Sequence, residues 1–200
     1  MNEIYVINLQ ERTDRWDQMK QLYPEFDLIR VDAVKHEKGA VGCFLSHKKC
    51  IQIAKEKELP SIIVIEDDCR PLDDFVNRLR NIKTFLDTYS EWDMLIGGGF
   101  HICPFHIKEK ITDDLYRTNG GYCMHFVIYH HSSYDFFLRQ NETDKPIDHV
   151  WQDQLRCLVP IPFLASQLDS YSNIGNWMEN IFSKRIRRNN RILINHIQSN

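Results

Sequence analysis

The sequence predicts an α/β layered fold built on a mainly parallel sheet. Three observations carry that expectation. Short apolar, β-branched runs alternate along the chain with longer amphipathic stretches, the pattern that strand–helix–strand units produce. The run Ser61-Ile62-Ile63-Val64-Ile65 is apolar at nearly every position, as in a central strand covered on both faces. The length of 200 residues suits one domain with a substantial core.

Taken in order, Ile4-Tyr5-Val6-Ile7-Asn8-Leu9 reads as a buried strand. Arg12, Asp14, Arg15 and Trp16 open a short helix, and Leu28-Ile29-Arg30-Val31 is a second strand. From Gly39 to about Glu58 the period becomes helical: Cys43, His47, Cys50, Ile51 and Ala54 recur at three- and four-residue steps and share a face. Pro60 ends that helix, and the Ser61–Ile65 strand runs straight into Glu66-Asp67-Asp68. Pro71 is expected to open the next helix, with Asp73 and Asp74 in its first turn and Leu72, Phe75, Val76, Leu79, Ile82 and Leu86 as its apolar stripe. Asp93-Met94-Leu95-Ile96 is a strand closed by Gly97-Gly98-Gly99, which either line a pocket or form a tight turn. The stretch from Phe100 to Asp114, containing Pro104, is expected to be a loop. Strands follow at Leu115–Thr118 and Cys123–Tyr129, then a helix near Ser133 to Leu138. A helix after Pro146 holds Asp148, Trp151 and Leu155. Pro160–Ala165 is extended, and its two prolines place it at a sheet edge or outside the sheet.

Composition excludes several classes. An apolar share of 42% and a charged share of 26% are those of a globular chain. A net charge of −3 argues against a dedicated nucleic-acid binder. No run approaches the roughly 20 apolar residues that cross a bilayer, and the first residues carry no signal-peptide core; the expected location is cytoplasmic, or the chain is part of a longer protein. The six cysteines form no CxxC pair, so a structural zinc site is not expected and the thiols are read as reduced.

The strongest chemical signal is the acidic triplet at the end of the best strand. Two carboxylates about 4 Å apart repel by roughly 1–4 kcal/mol. A divalent cation removes that repulsion, and hard oxygen donors suit Mg²⁺ or Mn²⁺ that keeps positions open for substrate phosphates. The bland alternative is a solvated acidic turn. Three consecutive side chains cannot all point one way from an extended segment, so Glu66 and Asp68 are expected to work together, with Asp67 on the other side.

Several ordered segments resemble glycosyltransferase family 25, which includes bacterial lipopolysaccharide galactosyltransferases and collagen galactosyltransferases. Tyr5-Val6-Ile7-Asn8-Leu9 with Arg12 and Arg15 is similar to the family's opening motif. Gly39-Ala40-Val41-Gly42-Cys43-Phe44-Leu45-Ser46-His47 resembles its second motif and Ile65-Glu66-Asp67-Asp68 its third. Gly120 to Tyr129, Pro146-Ile147-Asp148 and Ser172-Asn173-Ile174 resemble later ones; Asn173 departs from the acidic residue that members often carry there. The resemblance implies a GT-A-type fold with a Rossmann-like nucleotide-binding half, a nucleoside-diphosphate sugar donor (often UDP-galactose), and inversion at the anomeric carbon. On that basis residues 1–176 are expected to form the glycosyltransferase domain, and 177–200 a basic helix or tail.

Roles follow, each beside a structural alternative. Asn8, Arg12 and Arg15 are donor-binding candidates, because guanidinium forks suit a diphosphate; exposed arginines on a surface helix are the alternative. Gly39 and Gly42 stand at a helix N-terminus, a natural anion site. His47 is either a core histidine or a site residue, and Ser46 either orients it or binds nucleotide. Glu66 and Asp67 join the donor set, and Glu66 and Asp68 are the metal candidates. Asp148 is the candidate general base, or a helix N-cap; Asp153, expected about one turn along the same helix, is a second candidate base. The expected ligands are Mn²⁺ or Mg²⁺ and a UDP-sugar, with a glycan, glycolipid or protein acceptor. The basic run Lys184 to Arg191 either lies on an anionic membrane surface or is a solvated helix.

Overall fold

The computed structural model describes residues 3–141, 146–169 and 182–199. Its centre is an eight-stranded sheet. The strands and helices in chain order are β1 (Glu3–Asn8), α1 (Thr13–Leu22), β2 (Asp27–Asp32), α2 (Gly39–Glu56), β3 (Ser61–Glu66), β4 (Cys69–Pro71), α3 (Phe75–Leu86), β5 (Met94–Ile96), β6 (Ile107–Lys110), β7 (Leu115–Thr118), β8 (Phe126–His130), α4 (His131–Arg139), α5 (Asp148–Trp151), β9 (Cys157–Pro160), β10 (Ala165–Gln167) and α6 (Phe182–Gln198). The sheet order is β2-β1-β3-β8-β5-β9-β7-β6, and β10 pairs with β4 in a separate two-stranded ladder. Only β8 and β7 run against the direction of the other strands of the large sheet. The α/β architecture with a mainly parallel sheet is therefore as expected.

The period of two along the strands builds three layers. Tyr5, Ile7, Ile62 and Val64 face one side, where they meet Phe44 and Ile51 of α2 and Phe137 of α4. Ile4, Val6, Ile63 and Ile65 face the other, against Met19 of α1 and Leu79 and Ile82 of α3. Ile62 through Ile65 are all at most 2% exposed. Each such side chain contributes about 1.5–3 kcal/mol by leaving water, which is why β3 lies at the centre.

Four local expectations need correction. Pro71 ends a strand instead of opening a helix. Leu72 N–H continues the pairing to Leu164 O at 2.9 Å, and α3 begins only after Asp74, whose φ is 56°; Asp73 and Asp74 thus precede the helix. Within the expected loop of 100–114 lies β6, an edge strand whose Lys108, Glu109 and Lys110 are exposed. Charged edges discourage further pairing, and they also erase the apolar signal of a strand. The 160–165 stretch divides: Pro160 closes β9, which sits inside the sheet between β5 and β7, and Ala165 opens β10. The helix expected to reach Leu155 stops at Trp151, because Asp153 takes the left-handed conformation at φ 58°.

α6 is basic and docked. Ile186 and Leu193 are fully buried, Asn189 Nδ2 donates to Ile102 O at 2.9 Å, and Asn190 Oδ1 accepts from Phe163 N–H at 2.9 Å. Lys184, Arg185, Arg187, Arg188 and Arg191 occupy its exposed side. Among the described residues no helix is long and apolar enough to cross a membrane, and the cysteines are free thiols. The Ser172-Asn173-Ile174 segment, with Trp177, Met178 and Ile181, lies outside the described residues.

Candidate active site

β1 and β3 are parallel neighbours and end at the same level. Asp67 N–H donates to Ile7 O at 3.1 Å and Glu66 N–H to His125 O at 3.0 Å, so the triplet is anchored to both adjoining strands. The loops at this edge and the N-terminus of α2 enclose a cleft of about 490 Å³. Arg12, Arg15, Gly39, Gly42, Ser46 and all three carboxylates Glu66, Asp67 and Asp68 reach its wall. Ligands of open α/β sheets sit at strand carboxyl ends, and a helix N-terminus aimed at the cleft favours an anion.

The expected donor set separates into residues that line the cleft and residues that hold the lining. Asp67 does not point away: its Oδ1 takes a 2.7 Å ion pair from Arg15 and its Oδ2 accepts from Asn8 Nδ2 at 2.7 Å. Asn8 is 1% exposed and also donates to Arg12 O, so it positions Asp67 and lies behind the wall. Arg12 is closed on Asp14 through two 3.0 Å hydrogen bonds. Ser46 Oγ accepts from Val34 N–H at 2.8 Å and donates to Gly42 O at 2.7 Å, which ties the 33–36 loop to α2. His47 is fully buried; Tyr129 Oη is 2.9 Å from its Nδ1, and its Nε2 faces Glu66. His47 therefore positions Glu66 from within the core.

Two substitutions read out this scaffold. A Cβ on Gly42 would stand 2.6 Å from Val34 O, so Gly42→Ala should destabilise the fold by about 1–3 kcal/mol, visible as a lower thermal midpoint. The Arg15–Asp67 side chains are each 11% exposed. Arg15→Met leaves the Asp67 carboxylate buried without its counter-charge and should cost about 3–5 kcal/mol in urea unfolding.

A second cavity of about 470 Å³ lies on the other side of Glu66. Cys43, Glu66 and Gln167 line both spaces, so they form the wall between them. Asp148 lines only the second, together with Phe100, Tyr122, His125 and His149. Asp153, by contrast, lines neither; its Oδ1 accepts from Asn119 Nδ2 at 2.7 Å on the surface. The positive-φ turn after α5 removes it from the site, which leaves Asp148, of the two candidate bases, as the one that lines the second cavity. The Gly97-Gly98-Gly99 turn lines neither cavity; a Cβ at Gly98 would stand 2.4 Å from Ala165 O, so close packing explains it.

The electrostatics single out the same groups. Burial, reinforced by the charge of Glu66, pushes Asp148 up to about 7, and its Oδ1 is buried with no partner among the described residues. Asp68 is also pushed up to about 7, by burial and then by Glu66, against a hydrogen bond from Gln167. Burial acts most strongly on Glu66 and raises it, but His47, His125 and Cys43 together outweigh it and hold the carboxyl below its ordinary value. Burial lowers His125 to about 4, so that ring is neutral at pH 7. Like Asp148 Oδ1, Asp68 Oδ1 is a buried carboxylate oxygen without a partner among the described residues. A negative cluster with an orphaned carboxylate oxygen in a cleft fits a hard divalent cation.

Gln167 was not legible in the sequence. It comes from β10, 99 residues beyond Asp68, and donates to Asp68 Oδ2 at 2.9 Å. Cys43 is legible only as one of the residues that share a face of α2 with His47; the sequence assigns it no role in the site. Tyr122 and His125 fall within the Gly120–Tyr129 segment, but nothing in the sequence brings them to His149, because their convergence depends on tertiary folding.

Comparison with known proteins agrees with the motif resemblance. Residues 37–115 match the model of glycosyltransferase family 25 (LPS biosynthesis protein), a segment that holds the Gly39–His47 and Ile65–Asp68 motifs. The chain is 28% identical to procollagen galactosyltransferase 2 of Homo sapiens over 48% of this chain and 20% of that protein. It is 38% identical to a Rattus norvegicus protein named probable inactive glycosyltransferase 25 family member 3, over 34% of this chain and 12% of that one. The chain thus spans about a fifth or less of these relatives. Among solved structures, A197 from STIV superposes with a TM-score of 0.48 at 10% identity, over 85% of this chain and 87% of that chain.

Proposed function

We propose that this chain, whose segment 37–115 matches glycosyltransferase family 25, transfers a hexose from a UDP-sugar to a hydroxyl of a glycan, glycolipid or protein, inverting the anomeric centre. The observation that carries the reading is the pair of cavities divided by Glu66, one carrying the acidic triplet and the other Asp148. In this reading the diphosphate occupies the first cleft, against the N-terminus of α2. Glu66 and Asp68 are the residues that would hold Mn²⁺ or Mg²⁺ there; the ion would supply positive charge to the departing diphosphate. Asp148 takes the proton of the acceptor hydroxyl from the second cavity. The acceptor oxygen bonds to the anomeric carbon as the bond from that carbon to the diphosphate oxygen breaks. Attack from the face opposite the leaving group inverts the centre.

Exposed cations on α6 give the protein a surface suited to an anionic membrane bearing a lipid-linked acceptor. The relative named probable inactive favours a second reading, a non-catalytic sugar-nucleotide binder. Incubation with Mn²⁺ and a panel of UDP-sugars, with free UDP as the readout, separates the readings. UDP release that rises with an added acceptor supports transfer. Release indifferent to every acceptor assigns a phosphohydrolase, and donor binding without turnover assigns the non-catalytic reading.

A further inference from the structure

Cys43 and His47 stand four residues apart on α2, which stacks them on one helical face. Glu66 faces both from the end of β3. Cys43 Sγ lies 3.5 Å from Glu66 Oε1, His47 Nε2 lies 3.4 Å from the same oxygen, and the three donor atoms fall within 4.8 Å of one another. Hydrogen bonds from a charged donor to a carboxylate close to about 2.7–2.9 Å, so 3.4 Å is loose for such a bond. The two distances to Glu66 Oε1 fit another geometry. With metal–sulfur bonds of about 2.3 Å and metal–nitrogen or –oxygen bonds of about 2.0 Å, a tetrahedral ion holds its ligand atoms about 3.3–3.6 Å apart.

We infer that Cys43, His47 and Glu66 form a binding site for a borderline-soft divalent cation of the zinc class, with a fourth position open to the substrate cavities. The donor set supports this choice, since thiolate plus imidazole selects zinc-class ions over Mg²⁺ or Mn²⁺. The open position follows from Cys43 and Glu66 lining both cavities. The support behind the ligands is also present: Tyr129 Oη sits 2.9 Å from His47 Nδ1. With the ion on Nε2, the imidazole proton resides on Nδ1 and Tyr129 Oη accepts it, an outer contact that fixes ring and tautomer. The Cys43 thiol loses its proton to solvent as sulfur binds; no electron is transferred.

This ligand set shares Glu66 with the oxygen pair Glu66 and Asp68 but replaces the hard partner with a sulfur and a nitrogen. A zinc-class ion therefore withdraws Glu66 from the donor side, and Zn²⁺ inhibits transfer in competition with Mn²⁺. That inhibitory consequence rests on the glycosyltransferase reading; the binding does not.

Co²⁺ is the probe, because a thiolate ligand gives it a charge-transfer absorption and tetrahedral coordination gives intense visible bands. The expected result is one equivalent of Co²⁺ with both signatures, displaced by one equivalent of Zn²⁺. Cys43→Ser and His47→Gln each lose the tetrahedral spectrum. Cys123→Ser, which alters the other cysteine of the second cavity, keeps it, and so does Asp68→Asn. Tyr129→Phe weakens Zn²⁺ about 10- to 100-fold. A wild-type spectrum without the charge-transfer band overturns the site, as does a band that survives Cys43→Ser or disappears in Asp68→Asn. Circular dichroism of each variant confirms folding before metal is added. Mn²⁺-dependent UDP release is measured separately, so loss of the zinc-class site and loss of the transferase reading give different results.

Discussion

Asp148→Asn should lower kcat by about 10²- to 10⁴-fold, the range that a positioned acid or base contributes, while changing UDP affinity in the first cleft by far less. The separation follows from the architecture, since Asp148 lines only the second cavity. The pH profile sharpens the test. Burial and the charge of Glu66 raise Asp148 to about 7, and a base works only when deprotonated. Wild-type kcat/KM, which reports the free enzyme, should therefore fall as pH drops below about 7 at saturating Mn²⁺, and the variant should lose the share of that limb due to Asp148. Stability moves in the opposite sense. A carboxyl whose folded pKa exceeds its unfolded value penalises the fold progressively as pH rises from the unfolded value to the folded one, and fully above it. The rise from 3.8 to about 7 corresponds to at most about 4 kcal/mol. Asp148→Asn should accordingly unfold at higher temperature than wild type at pH 8, with the difference vanishing near pH 4. Thermal melts at the two pH values and steady-state kinetics on the same preparations check both halves. A variant that keeps full activity removes Asp148 as the base.

Asp68→Ala should abolish the metal dependence, with transfer in Mn²⁺ reduced about a hundredfold or more, as expected when several kcal/mol of charge stabilisation at the leaving group are lost. Asp68 is raised to about 7 by burial and by Glu66 beside it, and among the described residues its buried Oδ1 has no partner. Both features are costs in the absence of a counter-ion, and a divalent cation removes them together. The variant should therefore bind UDP in Mn²⁺ no better than wild type binds it in EDTA. Titration calorimetry with UDP, with and without Mn²⁺, provides the comparison. Retention of full Mn²⁺-dependent transfer by Asp68→Ala sinks the assignment of the triplet.

The parts of the site legible in the sequence are those set by long, strongly periodic segments. β3 announces itself by four consecutive aliphatic residues, and α2 by the recurrence of Cys43, His47, Cys50, Ile51 and Ala54 on one face. The triplet is then placed by chain continuity. What sequence could not supply is the direction in which a side chain is held. Asn8, Ser46 and His47 belong to the motifs, yet each is buried and holds a neighbour in place, because its tertiary partners (Asp67, Val34 and Tyr129) come from elsewhere in the chain. Asp153 misled for a backbone reason: Asp tolerates the left-handed region, and one such residue ends a helix that the pattern continued. β6 and β9 were hidden for opposite reasons, one by the charges of an exposed edge and the other by its brevity before Pro160. Gln167 reaches Asp68 only through the β4–β10 ladder, which no local pattern encodes.

The wall made by Cys43, Glu66 and Gln167 has a thermodynamic consequence. Because Glu66 raises Asp148 and borders both cavities, whatever neutralises it from the donor side renders Asp148 more acidic and so more fully ionised at neutral pH. Occupancy of one chamber is thus linked to proton release in the other. Linkage is reciprocal: if donor and cation tighten acceptor binding by some factor, acceptor tightens donor by the same factor, and both factors change with pH. In the glycosyltransferase reading, the two substrates would then be coupled through a single shared carboxylate, without any movement of the backbone.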